Sequence, residues 1–174
     1  MKNAIYCIAT SREQAETIVD QLRSVGFASG AISALLPDTS GTRDFAHEQH
    51  TKLPEGATAG TVTGMGVGAV LGWLAGIGSL AIPGVGPFIA AGPIMAALGG
   101  AAVGGAAGGI TGALVGMGIP EYEAKHYDGK IKSGNVLIAV HTDTSEEKKA
   151  VEEIYKRAGA EDIKVASEKS VANA

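Results

Sequence analysis

From Gly56 to Pro120 the chain lacks any Asp, Glu, Lys, Arg or His, a gap of 65 residues in a protein of 174. A stretch with no titratable side chain holds no acid–base catalyst, and it offers no buried charge to line an ion path. Aromatic residues are scarce at 5 %, which argues against a large aromatic-lined pocket. Cys7 is the single cysteine, so no internal disulfide is possible. There is no excess of positive charge. A net charge of −4 and a pI near 5.5 argue against a nucleic-acid partner. The N-terminal apolar run, Ala4 to Ala9, is too short for a signal peptide, and Ser11-Arg12-Glu13-Gln14 follows it. The charged flanks are therefore expected to stay in the cytoplasm.

What fills the gap is glycine. Twenty of the 26 glycines lie between Gly56 and Pro120. Ten of them fall on two rulers, Gly60, Gly64, Gly68, Gly72, Gly76 and Gly100, Gly104, Gly108, Gly112, Gly116. A step of four is close to one helical turn, so each ruler is a bare ridge along a helix. Bare ridges let helix backbones approach closely. Each successive glycine drifts by about 40°, so five of them wind about 160° around the helix. One straight partner cannot cover such a stripe, and several chains packed together can.

The flanks carry two similar units. In the first, Ala4 to Ala9 reads as a buried strand, and Thr10 with Glu13, or Ser11 with Gln14, opens a helix through a capping box. Ala15, Ile18, Val19, Leu22 and Val25 form its apolar stripe, Gly26 its stop, and Ala31 to Leu36 a second strand. In the second, Val136 to Val140 is a strand and Thr144 with Glu147 a capping box. Ala150, Val151, Ile154 and Tyr155 form the stripe, Gly159 the stop, and Asp162 to Ala166 the last strand. Two βαβ-like units predict an α+β, ferredoxin-like split βαβ domain with strand order 4-1-3-2 and both helices on one face. Its halves would be residues 1–53 and 121–174, with 54–120 inserted between them. Two polar helices, Thr42 to Leu53 and Glu121 to Lys132, would collar the insertion where it leaves and returns.

The insertion reads as a Gly/Ala-rich helical hairpin. Ala57 to Leu80 and Pro93 to Gly118 would be helices of about 36 and 39 Å, each long enough for a hydrocarbon core of about 30 Å. Pro83, Gly84, Gly86 and Pro87 would form the turn. Positive residues (Arg43, Lys52, Lys125, Lys130, Lys132) flank only the outer ends, which predicts a membrane hairpin with both termini cytoplasmic. The link Ala81 to Gly92 has no polar side chain, so a membrane or an assembly would have to bury it. A different reading makes the same stretch the dry centre of a soluble cage or filament. Trp73, near the middle of the first helix and away from an interface, favours that alternative.

Catalytic or metal chemistry is thin. His47 and His50, with Asp44 and Glu48, have the spacing of metal ligands on one helix face, but a solvated polar surface explains them as well. His126 and His141 stand alone, and Cys7 falls in a buried strand as a small apolar residue. The glycine runs lack the Gly-Lys-Ser/Thr of a phosphate loop, and Gly64-Met65-Gly66-Val67-Gly68 lacks the acidic partner of a dinucleotide fold. The residues thus predict no enzyme, no metal, no cofactor and no small-molecule substrate.

Several segments together resemble a known pattern. They are Thr42-Arg43-Asp44-Phe45-Ala46-His47-Glu48, Thr51-Lys52-Leu53-Pro54-Glu55-Gly56, Gly72-Trp73-Leu74-Ala75-Gly76-Ile77-Gly78, Ile82-Pro83-Gly84-Val85-Gly86-Pro87 and Gly116-Met117-Gly118-Ile119-Pro120-Glu121. Over most of its length the chain resembles bacterial proteins related to the general stress protein 17M-like and low-temperature-induced proteins. A looser likeness is to the small membrane subunit of the quinol-oxidising alternative complex. The resemblance implies a stress association and carries no catalytic motif. The expected function is a self-associating structural protein, held in the bacterial inner membrane by its glycine-zipper hairpin, with itself and the lipid bilayer as partners. The alternatives are a cytoplasmic homo-oligomeric assembly, and an accessory or pore subunit of a membrane complex.

Overall fold

The computed structural model describes residues 3–37, 78–82, 86–94 and 109–167. In chain order these are β1 (Asn3–Ala9), α1 (Arg12–Ser24), β2 (Ile32–Pro37), β3 (Gly78–Ile82), β4 (Gly86–Ala91), α2 (Gly109–Gly116), α3 (Glu121–Lys132), β5 (Val136–Thr142), α4 (Ser145–Arg157) and β6 (Glu161–Ser167). The fold is α+β, with one antiparallel sheet of order β3-β4-β2-β5-β1-β6.

The local signals act where the sequence put them. Ser11 caps α1, its hydroxyl accepting from the Gln14 N–H at 3.1 Å. The return arm of the box lands one residue upstream, with Gln14 Oε1 accepting from the Thr10 N–H at 2.7 Å. Gln14 Nε2 also donates to the Ala158 carbonyl at 2.8 Å and so ties the start of α1 to the end of α4. Thr144 and Glu147 form a complete capping box on α4. Gly26 and Gly159 end α1 and α4 in left-handed conformation, and the N–H of the next residue reaches back to Leu22 and Tyr155.

The four strands of the two flanks lie in the order β6-β1-β5-β2, which is 4-1-3-2 in their own numbering. Helices α1 and α4 share one face of the sheet. Ile18, Val19 and Leu22 meet Val151, Ile154 and Tyr155 there, over Ile5, Cys7, Ile32, Ala34, Ile138 and Val140. The opposite face is covered as well. Ala4, Tyr6, Ile8, Leu35, Leu137 and Ala139 pack against Ile110, Ala113 and Leu114 of α2 and Ala124, Tyr127 and Ile131 of α3. This is why β1, β2 and β5 read as continuous apolar runs with no alternation: both of their faces are buried.

The inserted stretch departs from expectation. The predicted first helix runs into β3, and the predicted helix–helix link is β4, paired antiparallel with β3 and β2. Backbone pairing meets the need that a link without polar side chains leaves open, since each strand satisfies its neighbour's N–H and C=O groups. Of the predicted second helix, Pro93 and Ile94 at its start are helical and Gly109–Gly116 near its end form α2, whereas residues 95–108 lie outside the described residues. Among the described residues no helix is long and apolar enough to cross a membrane. That overturns the expected residence in an inner membrane with both termini cytoplasmic. The physical reason is that the apolar length serves the sheet: α2 puts Ile110, Ala113 and Leu114 on its second face. The first polar collar, Thr42 to Leu53, lies outside the described residues. The second is α3, and it is amphipathic where a polar helix was expected.

Candidate functional site

The candidate site is the region where the charge-free stretch meets the sheet. Gly78, the first residue of β3, pairs with Ala90, and Ala91 next to it pairs with Ala34 of β2. The chain therefore joins β3 and leaves β4 at the same end of the sheet. Just beyond β4, Gly92 adopts φ +79°, where a Cβ would lie 2.0 Å from the Ile32 carbonyl oxygen. No other residue type fits that close approach of two backbones. Two residues on, the Ile94 N–H donates to the buried Ser33 hydroxyl at 3.2 Å, which satisfies a polar group fully removed from water. Ile94 itself is buried in the second-face cluster.

The stretch rejoins the flank through α2 and α3. Ile110, Ala113 and Leu114 are the buried residues of α2, and they mark the side that faces the sheet. At 100° per residue, Gly112 and Gly116 lie more than a quarter-turn away from that side. Gly116 is exposed, and a Cβ placed there would meet nothing within 4 Å among the described residues. Val115 beside it is 42 % exposed. These last two ruler glycines are thus not what lets α2 approach its own sheet.

Helix α3 is fastened across the second face to β6. His126 Nε2 lies 2.8 Å from Asp162 Oδ2, and the Tyr127 hydroxyl donates to the Asp162 carbonyl at 2.8 Å. Lys130 Nζ donates to Glu161 at 2.9 Å, and Lys164 lies 3.7 Å from Glu123. The Glu161 carboxylate accepting that bond raises the Lys130 pKa. Asp162 takes φ +50° at the point where β6 slips register against β1. A short acidic side chain tolerates that left-handed backbone. Each ion pair is at least partly exposed and adds little stability by itself, so together they orient α3 more than they hold it.

The buried nucleophile candidates are quiet. Burial pushes the Cys7 thiol far above its ordinary value, with the neighbouring Tyr155 hydroxyl opposing only weakly. Burial raises the Tyr155 and Tyr127 phenols as well, and Glu123 and Asp162 add to the effect at Tyr127. Tyr155 donates to the Ile5 carbonyl at 3.2 Å. All three groups stay protonated at neutral pH, and a thiol without thiolate character is inert. Among the described residues no three His, Cys, Asp or Glu side chains gather as metal ligands would.

Of the predicted packing residues, Gly60, Gly64, Gly68, Gly72, Gly76, Gly100, Gly104 and Gly108 lie outside the described residues, as do Asp44, His47, Glu48 and His50. Gly112 and Gly116 are on α2. Of the predicted turn, Pro83 and Gly84 are outside the described residues, whereas Gly86 and Pro87 open β4. The structure brings His126 together with Asp162, which sequence reasoning left apart. The signal was present: Ala124, Tyr127 and Ile131, three and then four positions apart, mark a buried face on a helix that its charges made look polar. Compared with protein-family models, with curated proteins and with solved structures, the chain finds no match.

Proposed function

We propose that this is a self-associating structural protein, in which the charge-free runs 56–77 and 95–108 are the contact between copies and the α+β unit is the peripheral part. Its work is packing rather than chemistry. The observation that carries the reading is the direction of the second ruler. On α2, Gly112 and Gly116 turn away from the sheet that the same helix covers, and Gly116 is exposed. Gly116 is thus available to another helix, and close backbone approach is what a bare position of this kind permits. The other eight ruler glycines belong to the two runs, which join the unit beside each other at Gly78 and Ile94. The peripheral unit is ferredoxin-like in this reading, supported by the order β6-β1-β5-β2 and by α1 and α4 sharing a face. The resemblance to general stress protein 17M-like proteins supports a place in the bacterial stress response.

The test is the mass of the full chain, prepared without detergent, by light scattering and electron microscopy. The wild-type protein is expected as a homo-oligomer. Gly68→Leu and Gly108→Leu, which roughen each run, are expected to lower its mass while far-UV circular dichroism keeps the signature of the α+β unit. A wild-type monomer, or variants that retain the full assembly size, would refute the reading.

A further inference from the structure

Among the described residues the sheet ends on β6 at one side and on β3 at the other, and the two edges are unlike. Strand β6 carries Glu161, Asp162 and Lys164, and its register on β1 shifts between Tyr6 and Ile8. Charges and a bulge are what keep an edge from templating another strand. Strand β3, Gly78-Ser79-Leu80-Ala81-Ile82, has no charge and no proline, and it meets β4 through five consecutive partners without a shift. Among the described residues no strand lies on its outer side.

Pro87 reveals which groups of β3 face outward. Antiparallel partners alternate between pairs that exchange both hydrogen bonds and pairs that exchange none. Proline has no N–H, so Ala81 opposite Pro87 belongs to a pair that exchanges none. Gly78, Leu80 and Ile82 then bond to β4. The N–H and C=O groups of Ser79 and Ala81 point away from it, along the outer edge of the described sheet.

We infer that β3 is the edge along which two copies of this chain pair, antiparallel about a twofold axis at Leu80, so that two six-stranded sheets become one. Ser79 of each copy then faces Ala81 of the other, and the two pairs exchange four backbone hydrogen bonds. A second copy suits this edge because two uncharged strands meet without like-charge repulsion, and an isologous contact closes on itself. The other copy-to-copy pairing, β3 on β6, would run head to tail into an open filament. The charges, the slipped register and the left-handed Asp162 of β6 stand against it. Four hydrogen bonds bury far less than a stable interface needs. The inference therefore rests on the self-association proposed above: the glycine runs supply the area, and β3 sets the symmetry.

Masses of the full chain are compared for wild type, Ala81→Pro, Ser79→Pro and Gly68→Leu by sedimentation. Proline at 81 or 79 removes an outward N–H and spares the bonds to β4. Both variants are expected to fold with an unchanged circular dichroism spectrum and to sediment at a lower mass than the wild type, because the glycine contact then lacks the pairing that closes it. Leu80→Cys gives an independent reading, because residues 80 of the two copies would face each other in a pair without hydrogen bonds, with Cα atoms about 4.5 Å apart. Mild oxidation is expected to yield a covalent dimer on a non-reducing gel. Folded proline variants of wild-type mass, or no dimer from Leu80→Cys, overturn the edge pairing. The glycine reading stands in that case if Gly68→Leu still lowers the mass. A monomeric wild type overturns both.

Discussion

Replacing Gly92 by alanine puts a methyl group where the structure has none to spare. The added Cβ would sit 2.0 Å from the Ile32 carbonyl oxygen and 3.0 Å from both the Ile32 carbonyl carbon and the Ser33 Cα. Ordinary C···O contacts begin near about 3.3 Å, so the overlap is about 1.3 Å and it is with backbone. Strand β2 cannot recede, because Ser33 and Ala34 are paired with Ala139 and Ile138 of β5 in the centre of the sheet. The end of β4 must move instead, and the Ile94 bond to Ser33 goes with it. A left-handed φ costs alanine about 1–2 kcal/mol. Leaving the buried Ser33 hydroxyl without that bond costs about 1–2 kcal/mol more. With the overlap added, the expected loss is about 3–5 kcal/mol, a large part of a domain's whole stability. Urea unfolding followed by far-UV circular dichroism measures it. Gly30→Ala is the control, since a Cβ there meets nothing within 4 Å and φ is not left-handed. It should leave stability within about 0.5 kcal/mol of wild type. A Gly92→Ala midpoint as close to wild type as that of the control would refute the argument from close approach.

The further predictions concern the caps and the buried acids. Thr144→Ala removes the acceptor of the Glu147 N–H at 3.1 Å, and should cost about 1 kcal/mol in the same urea assay. Cys7, Tyr127 and Tyr155 all have their pKa raised by burial from ordinary values of 9.0 for the thiol and 10.0 for the phenols. The unfolded chain therefore releases these protons first, and stability falls as pH rises through about 9 and above, by about 1.4 kcal/mol per pH unit for each group released. Cys7→Ala should make that decline shallower between pH 9 and 10, and an unchanged slope in urea midpoints against pH would contradict the assignment.

Much of the flanking domain was legible because its signals are local. Ser11 and Thr144 as caps, Gly26 and Gly159 as stops, and the stripes Ala15-Ile18-Val19-Leu22 and Val151-Ile154-Tyr155 each act within a few residues and are where the sequence placed them. Val25, expected in the first stripe, is instead exposed at the helix end, and Ala150, expected in the second, is half-buried. The second layer was harder to see. Strands with apolar residues on both faces already announced two coverings, yet two helices on one face were expected to suffice. The missing cover came from α2 and α3, the second masked by its charges. The buried face of α3 was legible from Ala124, Tyr127 and Ile131, but the partner of His126 was not, since 36 positions separate it from Asp162 and the packing of α3 on β6 brings the two together.

Composition and spacing by themselves determined the class of the flanks, the strand order of the two halves, and the absence of charge from the inserted stretch, because propensity, capping and periodicity are properties of neighbouring residues. They could not determine the fate of Gly78 to Ala91. Those residues suit a helix, a link or a strand, and a short apolar run carries no period that decides among them. The tertiary structure decided it. The open edge of β2 satisfies the backbone of β4, Gly92 alone permits the approach to Ile32, and α2 finds a sheet face to cover. A stretch that looked like a membrane hairpin thereby gives the sheet two of its strands, since unpaired backbone at a sheet edge is satisfied by whichever segment the fold brings beside it.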